Sequence, residues 1–387
     1  MDIPPGYTHQ EQEKLVCKLE RSLYGLKQSP RAWFGRFCKA MKTYNYIQSD
    51  SDHTLFYKHC HDKVTILIIY VDDMIITGDD SKEIRWLEQR LSQEFEMKNL
   101  GGLKYFLGIE VLRSKEGISL SQRKYTLDLL AEVGMLNCKP ADTPIVQNLK
   151  FEENPDDPVV NREAYQKLVG KLIYLAHTRP DIAYAVSMVS QFMQNPKKQH
   201  MDAVIRVLRY LKKTPGKGIQ FRKNGHLDIW GYTDADWAGD RIDRKSTSGY
   251  FTFVGGNLVT WRSKKQNVVA LSSAEAEFRG MSKGLCELLW LRKLMIELKF
   301  KPKEGMQLYC DNKSAIEIAH NPVQHDRTKH IEIDRHFIKQ NLEERIISFP
   351  FVRSEEQLAD MLTKGVSTKC FEESIVKLGM VDIYLPT

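Results

Sequence analysis

The stretch LDIWGYTDADWAGDRIDRKSTSGYFTFVGGNLVTWRSK, residues 227–264, contains three β-rich runs separated by polar segments. The runs are LDIWGYTD, SGYFTFV and LVTWRSK, and the triplet Gly255–Asn257 predicts a hairpin turn between the last two. A long helix predicted over Ala274–Leu298 follows, then a strand in MQLYCD, further helices, a strand in IISFPFV and a final helix. Three antiparallel strands followed by alternating helix and strand predict an α/β layout with a mixed sheet.

The upstream sequence predicts two regions of different character. Up to about residue 134, helix and strand patterns mix: SPRAWFGRFCKAMKTYN predicts a helix capped by Ser29, and SKEIRWLEQRLSQEF one capped by Ser81. LKYFLGIEVLRSKEGISLSQ predicts two strands around the turn SKEG. The proline-containing, acidic stretch Thr143–Val160 indicates a linker, and about three helices are predicted between Arg162 and Lys213.

Composition limits the class of protein. The chain has 387 residues, of which 42% are hydrophobic and 28% charged, so we expect a folded protein of two or more domains. The longest apolar run, Val64–Val71, is far shorter than the roughly 20 residues that span a bilayer, and MDIPPGYTHQ lacks the regions of a signal peptide. We therefore expect an intracellular protein, cytoplasmic or nuclear, without a membrane partner. The seven cysteines are scattered, which predicts reduced thiols.

A basic helix face is predicted in MDAVIRVLRYLKK, residues 201–213. Its apolar residues fall on one face, and Arg206, Arg209 and Lys213 line up opposite. With a formal net charge of +7 for the chain, such a face suits a phosphate backbone. A solvated helix face explains the same pattern equally well, so both interpretations stay open.

Carboxylates at the ends of predicted elements mark the last third of the chain. Asp234 closes the first strand, Asp311 closes the strand MQLYCD, and Asp360 falls in the first turns of a helix predicted in SEEQLADMLTK. Taken singly, each is explained by a cap or a turn. Converging at strand ends, they would repel one another unless cations offset their charge. Hard oxygen ligands suit Mg²⁺ or Mn²⁺, and two such ions can promote phosphodiester hydrolysis.

A fourth carboxylate comes from SSAEAEF, where Glu275 and Glu277 compete. Residues two positions apart on a helix are rotated by about 200° about its axis, so the side chains of Glu275 and Glu277 cannot share a face. Ser272 and Glu275 fit a capping box, which gives Glu275 a structural role and leaves Glu277 to face the sheet. Glu277 is therefore the predicted fourth member of the set.

Long motifs in the last third closely resemble the ribonuclease H domain of Ty1/copia-type retrotransposon polyproteins: YTDADWAGDRIDRKSTSGYFTFVGG, CDNKSAI, RTKHIEI and QLADMLTK. The segments KLERSLYGLKQSPRAWF, YVDDMII, LGGLKYFLGIEV and HTRPDIAYAV resemble the same family's reverse transcriptase. The resemblance covers nearly the whole chain. It implies a truncated polymerase palm over 1–142, a linker over 143–161, a helical thumb or connection over 162–224, and a ribonuclease H domain over 225–387.

The resemblance also assigns roles in the last domain. It implies that Asp234, rather than Asp236, is the first catalytic aspartate, and that Asp311 and Asp360 are the third and fourth metal-binding acids. The family's glutamate is followed by small residues three and seven positions on, a pattern that fits Glu277 and fails for Glu275. The implied activity is Mg²⁺- or Mn²⁺-dependent cleavage of the RNA strand of an RNA–DNA hybrid. His330 is either an auxiliary group or, more simply, structural.

YVDD resembles the catalytic hairpin of the family's polymerase, which implies that Asp72 and Asp73 bind metal. Two-residue hairpin turns prefer Asn-Gly or Asp-Gly, so paired aspartates favour an active-site origin over a simple turn. By the same resemblance, Gly25, Lys27 and Gln28 contact the incoming nucleotide and the RNA template. The segment ISLSQ would hold the DNA primer end. The basic face of the helix would hold the duplex backbone.

One departure from the family pattern concerns a third polymerase aspartate, which reverse transcriptases take from an upstream palm strand. This chain begins MDIPPGY, and Asp2 followed by Ile-Pro-Pro-Gly cannot lie in a central paired strand. We therefore expect that this chain alone does not polymerise DNA, or that a second polyprotein chain supplies the missing residues. A non-catalytic nucleic-acid-binding relic of a retrotransposon is the alternative to a working ribonuclease H.

Overall fold

A four-stranded antiparallel sheet forms the centre of residues Met1–Gly101, one of the two units into which the computed structural model divides the chain. The described residues are 16–20, 25–149, 151, 156–300, 302, 304–321 and 332–384. The strands lie in the order β1 (Ile47–Gln48), β2 (Leu55–Cys60), β3 (Lys63–Tyr70) and β4 (Asp73–Gly78). Helices α1 (Ser29–Thr43) and α2 (Ser81–Phe95) complete the unit. Its core joins Phe37 of α1, Phe56 and Leu67 of the sheet, and Leu87 of α2.

Both helices predicted in this unit are confirmed, but their predicted caps are wrong by one residue. Ser29 is the first residue of α1 and follows the N-cap Gln28. Asp80, not Ser81, caps α2, because its Oδ1 accepts hydrogen bonds from the backbone N–H groups of Lys82 and Glu83 at 3.2 and 3.1 Å. Aspartate satisfies these free donors as well as serine does.

A five-stranded antiparallel sheet lies in the second unit, Gly102–Thr387. The order is β14 (Met380–Asp382), β8 (Lys217–Phe221), β7 (Gly117–Ser121), β6 (Ile109–Ser114) and β5 (Tyr105–Phe106). The predicted hairpin around SKEG is confirmed as β6 and β7. This sheet joins strands from three of the predicted domains. The boundary between the two units lies at 101/102, whereas the first predicted domain ends at 142. The predicted domain limits stay predictions.

The helices predicted between Arg162 and Lys213 are present in this unit. After α3 (Arg123–Glu132) come α4 (Arg162–Leu175), α5 (Ala183–Ser190) and α6 (Lys198–Lys213). The predicted linker contains no helix or strand among its described residues, but Ile145 and Phe151 are buried in the core that the helices form. The segment is therefore packed against the fold along part of its length.

The predicted mixed sheet is confirmed. Its order is β11 (Asn257–Lys265), β10 (Thr247–Val254), β9 (Ile229–Asp236), β12 (Met306–Tyr309) and β13 (Ile347–Ser348). The first three strands pair antiparallel, whereas β12 runs parallel to both β9 and β13. The helices of this part of the chain are α7 (Ser273–Glu297), α8 (Lys313–His320), α9 (Glu332–Glu343) and α10 (Thr368–Lys377). Among the described helices, none has the length and apolar character needed to span a membrane.

Helix α7 lies close against the sheet because glycines face the strands. A Cβ added at Gly280 would lie 3.2 Å from Thr233 Oγ1 of β9, and one at Gly284 would lie 3.0 Å from Leu308 Cδ2 of β12. These glycines follow Glu277 by three and seven positions, so they share its side of the helix. The close approach therefore brings Glu277 next to the strand that carries Asp234.

The prediction of a helix in SEEQLADMLTK is wrong. The segment forms two 3₁₀ turns, Ser354–Glu356 and Leu358–Leu362, separated by Gln357 in an extended conformation. The side chain of Gln357 explains the break: its Nε2 donates to Thr233 O at 3.0 Å, and its Oε1 accepts from the N–H of Ala359 at 3.1 Å. These bonds fix the second 3₁₀ turn, which carries Asp360, against β9.

Candidate active site

Parallel pairing of β9 and β12 determines where two of the predicted carboxylates lie. Tyr232 is opposite Tyr309 in the register, and each tyrosine is followed two residues later by an aspartate, Asp234 or Asp311. Both strands run in the same direction, so both aspartates reach the same edge of the sheet. Asp234 is buried and Asp311 is half-buried.

Glu277 and Glu275 have different surroundings on α7. Glu275 accepts from the N–H of Leu271 at 2.7 Å and forms an ion pair with Arg279 at 3.0 Å. The N-cap Ser272 accepts from the N–H of Glu275 at 3.2 Å, which is one half of the predicted capping box, while the Glu275 carboxylate accepts from Leu271, the residue before the cap. Glu277 is buried beside the sheet, and its Oε2 lies 4.0 Å from Cys310 Sγ.

Three carboxylates converge here. Oxygen atoms of Asp234, Asp311 and Asp360 lie within 4.8 Å of one another, and Glu277, Cys310 and Asp311 form a second group within the same distance. We call Asp234, Glu277, Asp311 and Asp360 the carboxylate cluster. It unites acids from a strand, a helix, a strand end and a 3₁₀ turn.

The electrostatics of the carboxylate cluster indicate negative charge that the protein offsets only in part. Burial, followed by the charges of Asp234 and Asp311, raises the pKa of Glu277 well above its ordinary value. Burial and then Asp234 raise the pKa of Asp360 to about 7, although Lys364 acts in the opposite direction. Carboxylates held this close repel one another when ionised, and either protonation or a bound cation offsets that repulsion. The donor set, which consists of oxygen ligands with one half-buried member, fits a hard divalent ion such as Mg²⁺ or Mn²⁺.

Lys364 belongs to this site, although we did not predict it. Its Nζ lies 2.8 Å from Asp360 Oδ1. Burial lowers the pKa of Lys364, but Asp234, Asp360 and Asp311 outweigh this effect and raise the pKa above its ordinary value. The sequence contained a signal, because Lys364 follows Asp360 by four residues within a quoted motif and this spacing brings side chains together in a helical turn.

Other neighbours of the cluster were also missed. Thr363 Oγ1 donates to Asp234 Oδ2, and Ser354 Oγ donates to Asp311 Oδ2 at 2.7 Å. Cys310 is fully buried, and burial followed by the charge of Glu277 raises the pKa of its thiol, which keeps it protonated. The hydroxyl donors orient the two aspartates, and no local sequence pattern indicates such contacts.

The first unit places Asp72 and Asp73 at the β3–β4 hairpin. Tyr70 pairs with Asp73, so the two turn residues are Val71 and Asp72, and the predicted Asp-Asp tip is displaced by one residue. Val71 has a φ of 56°, an unfavourable conformation for a β-branched residue. Both aspartates are exposed, and within the described residues neither belongs to a group of three or more potential metal ligands.

The predicted nucleotide contacts Gly25, Lys27 and Gln28 are exposed and precede α1 directly. Gly25 has a φ of 93°, which a glycine adopts without strain. The role of these three residues stays a prediction. Asp2 and His330 lie outside the described residues.

The predicted basic face of α6 contacts the chain itself. Arg206 Nη2 donates to Thr143 Oγ1 at 2.9 Å, Arg209 Nε donates to Lys139 O at 2.7 Å, and Lys213 Nζ donates to Asp142 Oδ1 at 2.7 Å. These contacts fasten the segment 139–143 to the helix. A nucleic-acid contact by Arg206, Arg209 or Lys213 stays a prediction, and it would compete with these bonds.

Comparison with known proteins identifies the class as a Pol protein of a transposable element. The family model for reverse transcriptase (RNA-dependent DNA polymerase) matches residues 1–147. The chain is 41% identical over 383 residues to the retrovirus-related Pol polyprotein from transposon RE1 of Arabidopsis thaliana, a match that covers 99% of this chain and 26% of that protein. It is 31% identical over 288 residues to the putative transposon Ty5-1 protein of Saccharomyces cerevisiae, a match that covers 74% of this chain and 94% of that protein.

The chain belongs to the copia-type reverse transcriptase family of transposon Pol proteins. It spans about a quarter of the length of the RE1 polyprotein. A solved structure of the foamy viral protease-reverse transcriptase in complex with double-stranded DNA matches at 12% identity with a TM-score of 0.47, over 84% of this chain and 49% of that one.

Proposed function

We propose that the carboxylate cluster catalyses the metal-dependent hydrolysis of the RNA strand in RNA–DNA hybrids. The observation that carries this proposal is the convergence of Asp234, Asp311 and Asp360 oxygens within 4.8 Å, with Glu277 buried beside them. The raised pKa values of Glu277 and Asp360 support it, because they mark a site that favours added positive charge. A divalent cation bound there supplies Lewis acidity for phosphodiester cleavage.

The residues of the chain would hold and orient this site. Asp234, Glu277, Asp311 and Asp360 are the proposed ligands. Thr363 fixes Asp234 and Ser354 fixes Asp311 by hydrogen bonds, so both carboxylates are oriented before substrate arrives. Lys364 offsets part of the charge beside Asp360.

We also propose that these 387 residues by themselves do not extend a DNA primer. Asp72 and Asp73 lie at an exposed hairpin, and the described part of the chain brings no third acid to them. Two metal ions held for in-line attack need more ligands than this pair offers. Primer extension on an RNA template by the purified chain would contradict this proposal.

The test of the hydrolytic proposal uses a duplex with one labelled RNA strand and one DNA strand. With Mg²⁺ or Mn²⁺, the purified chain should cut the RNA of the hybrid and leave the same RNA intact in an RNA–RNA duplex, and EDTA should stop the reaction. Binding of the hybrid without cleavage in either metal would favour the alternative, a non-catalytic nucleic-acid-binding protein.

A further inference from the structure

Two basic residues lie on one face of β11, the outer strand in the order of the mixed sheet. Arg262 is opposite Tyr250 and Lys264 is opposite Ser248, so they are alternate residues and share a face. Tyr250 identifies that face, because its hydroxyl donates to Glu287 Oε2 of α7 at 2.8 Å. Arg262 and Lys264 are both exposed, and they point to the α7 side of the sheet.

Helix α7 adds a third basic residue to the same surface. Lys283 precedes Glu287 by four residues, so both lie on the side of the helix that faces β10. Lys283 is half-buried, and Arg262 and Lys264 are near enough to act on its pKa. We call Arg262, Lys264 and Lys283 the basic seam.

The positive charge of the basic seam is not offset by ion pairs. In the part of the chain that the structure describes, no carboxylate lies within ion-pair distance of its three members. Of the nearby acids, Glu275 pairs with Arg279, whereas Glu287 accepts from the Tyr250 hydroxyl and Asp334 from Ser282 Oγ at 2.8 Å, hydrogen bonds that leave both charges in place. Burial, then Arg262 and Lys264, lower the pKa of Lys283, while Asp334 acts in the opposite direction.

We propose that Arg262, Lys264 and Lys283 bind backbone phosphates of the RNA–DNA hybrid at a site separate from the carboxylate cluster. The proposal rests on the proposed function for the identity of the ligand. Lys283 lies six residues from Glu277, about 9 Å along the helix at 1.5 Å per residue. Phosphates follow one another about every 3.4 Å along the axis for each strand, so a duplex cut at the cluster has phosphates at this distance. The seam would hold the duplex in register for cleavage.

The test compares the double variant Arg262→Gln/Lys264→Gln with Lys369→Gln/Lys377→Gln, which removes the same charge from exposed positions of α10. Both basic-seam positions in the first variant are exposed, so the fold should survive, and equal melting temperatures would check this. Hybrid affinity is measured in EDTA over a range of salt concentrations. Each lost phosphate contact should make the slope of log association constant against log salt concentration less steep by about 1. We therefore expect a slope that is less steep by about 2 in the seam variant.

Slopes that are equal in the seam variant and the α10 variant would overturn the proposal. Lys283→Gln gives a second measurement, with an expected slope reduction of about 1 that Lys283→Arg should restore. Failure of hydrolysis is a separate result. If the wild-type chain does not cut the hybrid but the seam variants still lower the salt dependence, the phosphate site stands and the hydrolytic function falls.

Discussion

Asp234 and Asp311 occupy equivalent positions on two parallel neighbouring strands, each two residues beyond the paired tyrosines Tyr232 and Tyr309. This relationship follows from topology, since parallel strands end at the same edge of a sheet. Helix α7 and the 3₁₀ turn at Leu358–Leu362 then bring Glu277 and Asp360 to that edge. The proposed function depends on this convergence, which the packing of these elements and the charges of their neighbours maintain.

Gly249→Ala should separate the 3₁₀ turn from the sheet. Gly249 pairs with Asp234, and a Cβ at this position would lie 2.4 Å from Leu362 Cβ, so the turn that carries Asp360 must move. We expect a loss of about 1–3 kcal/mol in the free energy of unfolding, measured by urea denaturation. Gly170→Ala in α4 is the control, because a Cβ there meets nothing within 4 Å and alanine should stabilise the helix by about 1 kcal/mol. A Gly249→Ala variant as stable as wild type would show that the packing is looser than described.

Lys364→Gln should destabilise the metal-free protein and increase the stabilisation gained from Mg²⁺. The Lys364 ammonium lies 2.8 Å from Asp360, and its removal leaves the carboxylates with less compensation. Since Lys364 is partly exposed to solvent, the expected loss without metal is only about 0.5–1 kcal/mol. Melting temperatures in EDTA and in Mg²⁺ measure both effects. The control Lys198→Gln breaks the exposed pair with Asp202 at the same spacing of four residues and should change neither.

The stability of the metal-free protein should fall as the pH rises from about 4 to 7. The pKa of Asp360 is raised from 3.8 to about 7 in the folded state, so between these values the folded chain binds more protons than the unfolded chain. Deprotonation therefore favours unfolding in this window. Melting temperatures in EDTA across this range should show the decline, and it should be smaller in Asp360→Asn. An identical pH profile for the two proteins would contradict the assigned cause.

Arg179→Met should be among the most destabilising substitutions in the helical region. Arg179 is 1% exposed, pairs with Asp181 at 2.7 Å and donates to the carbonyl oxygen of Thr214 at 2.8 Å. Removing the guanidinium leaves a buried carboxylate that has lost its ion-pair partner and keeps only the hydrogen bond from the Tyr210 hydroxyl, at a cost of about 3–5 kcal/mol. Urea denaturation measures this cost. The surface pair of Lys213 and Asp142 is the control, and Lys213→Met should cost less than about 1 kcal/mol.

The sequence predicted the elements whose patterns are local. The β-rich runs SGYFTFV and LVTWRSK predicted β10 and β11, and the capping role of Glu275 left Glu277 as the glutamate expected to face the sheet. Contacts between distant segments were not predictable in this way. Gln357 bonds to β9 and prevents the helix expected around Asp360, and the segment 139–143 occupies the basic residues of α6. Cys310 joins the site only because the fold brings the cluster together, whereas the spacing of Asp360 and Lys364 was a local signal.

The most direct test of the central claim compares Glu277→Gln with Glu275→Gln in hydrolysis of the labelled RNA–DNA hybrid with Mg²⁺. The two substitutions are chemically identical and lie two residues apart on α7, but only Glu277 belongs to the carboxylate cluster. We predict that Glu277→Gln lowers the rate by about 100-fold or more, the scale expected when a group acting on the reaction is lost, and that Glu275→Gln retains most of the activity. Equal rates in the two variants, or a larger loss in Glu275→Gln, would contradict the assignment of the cluster to catalysis.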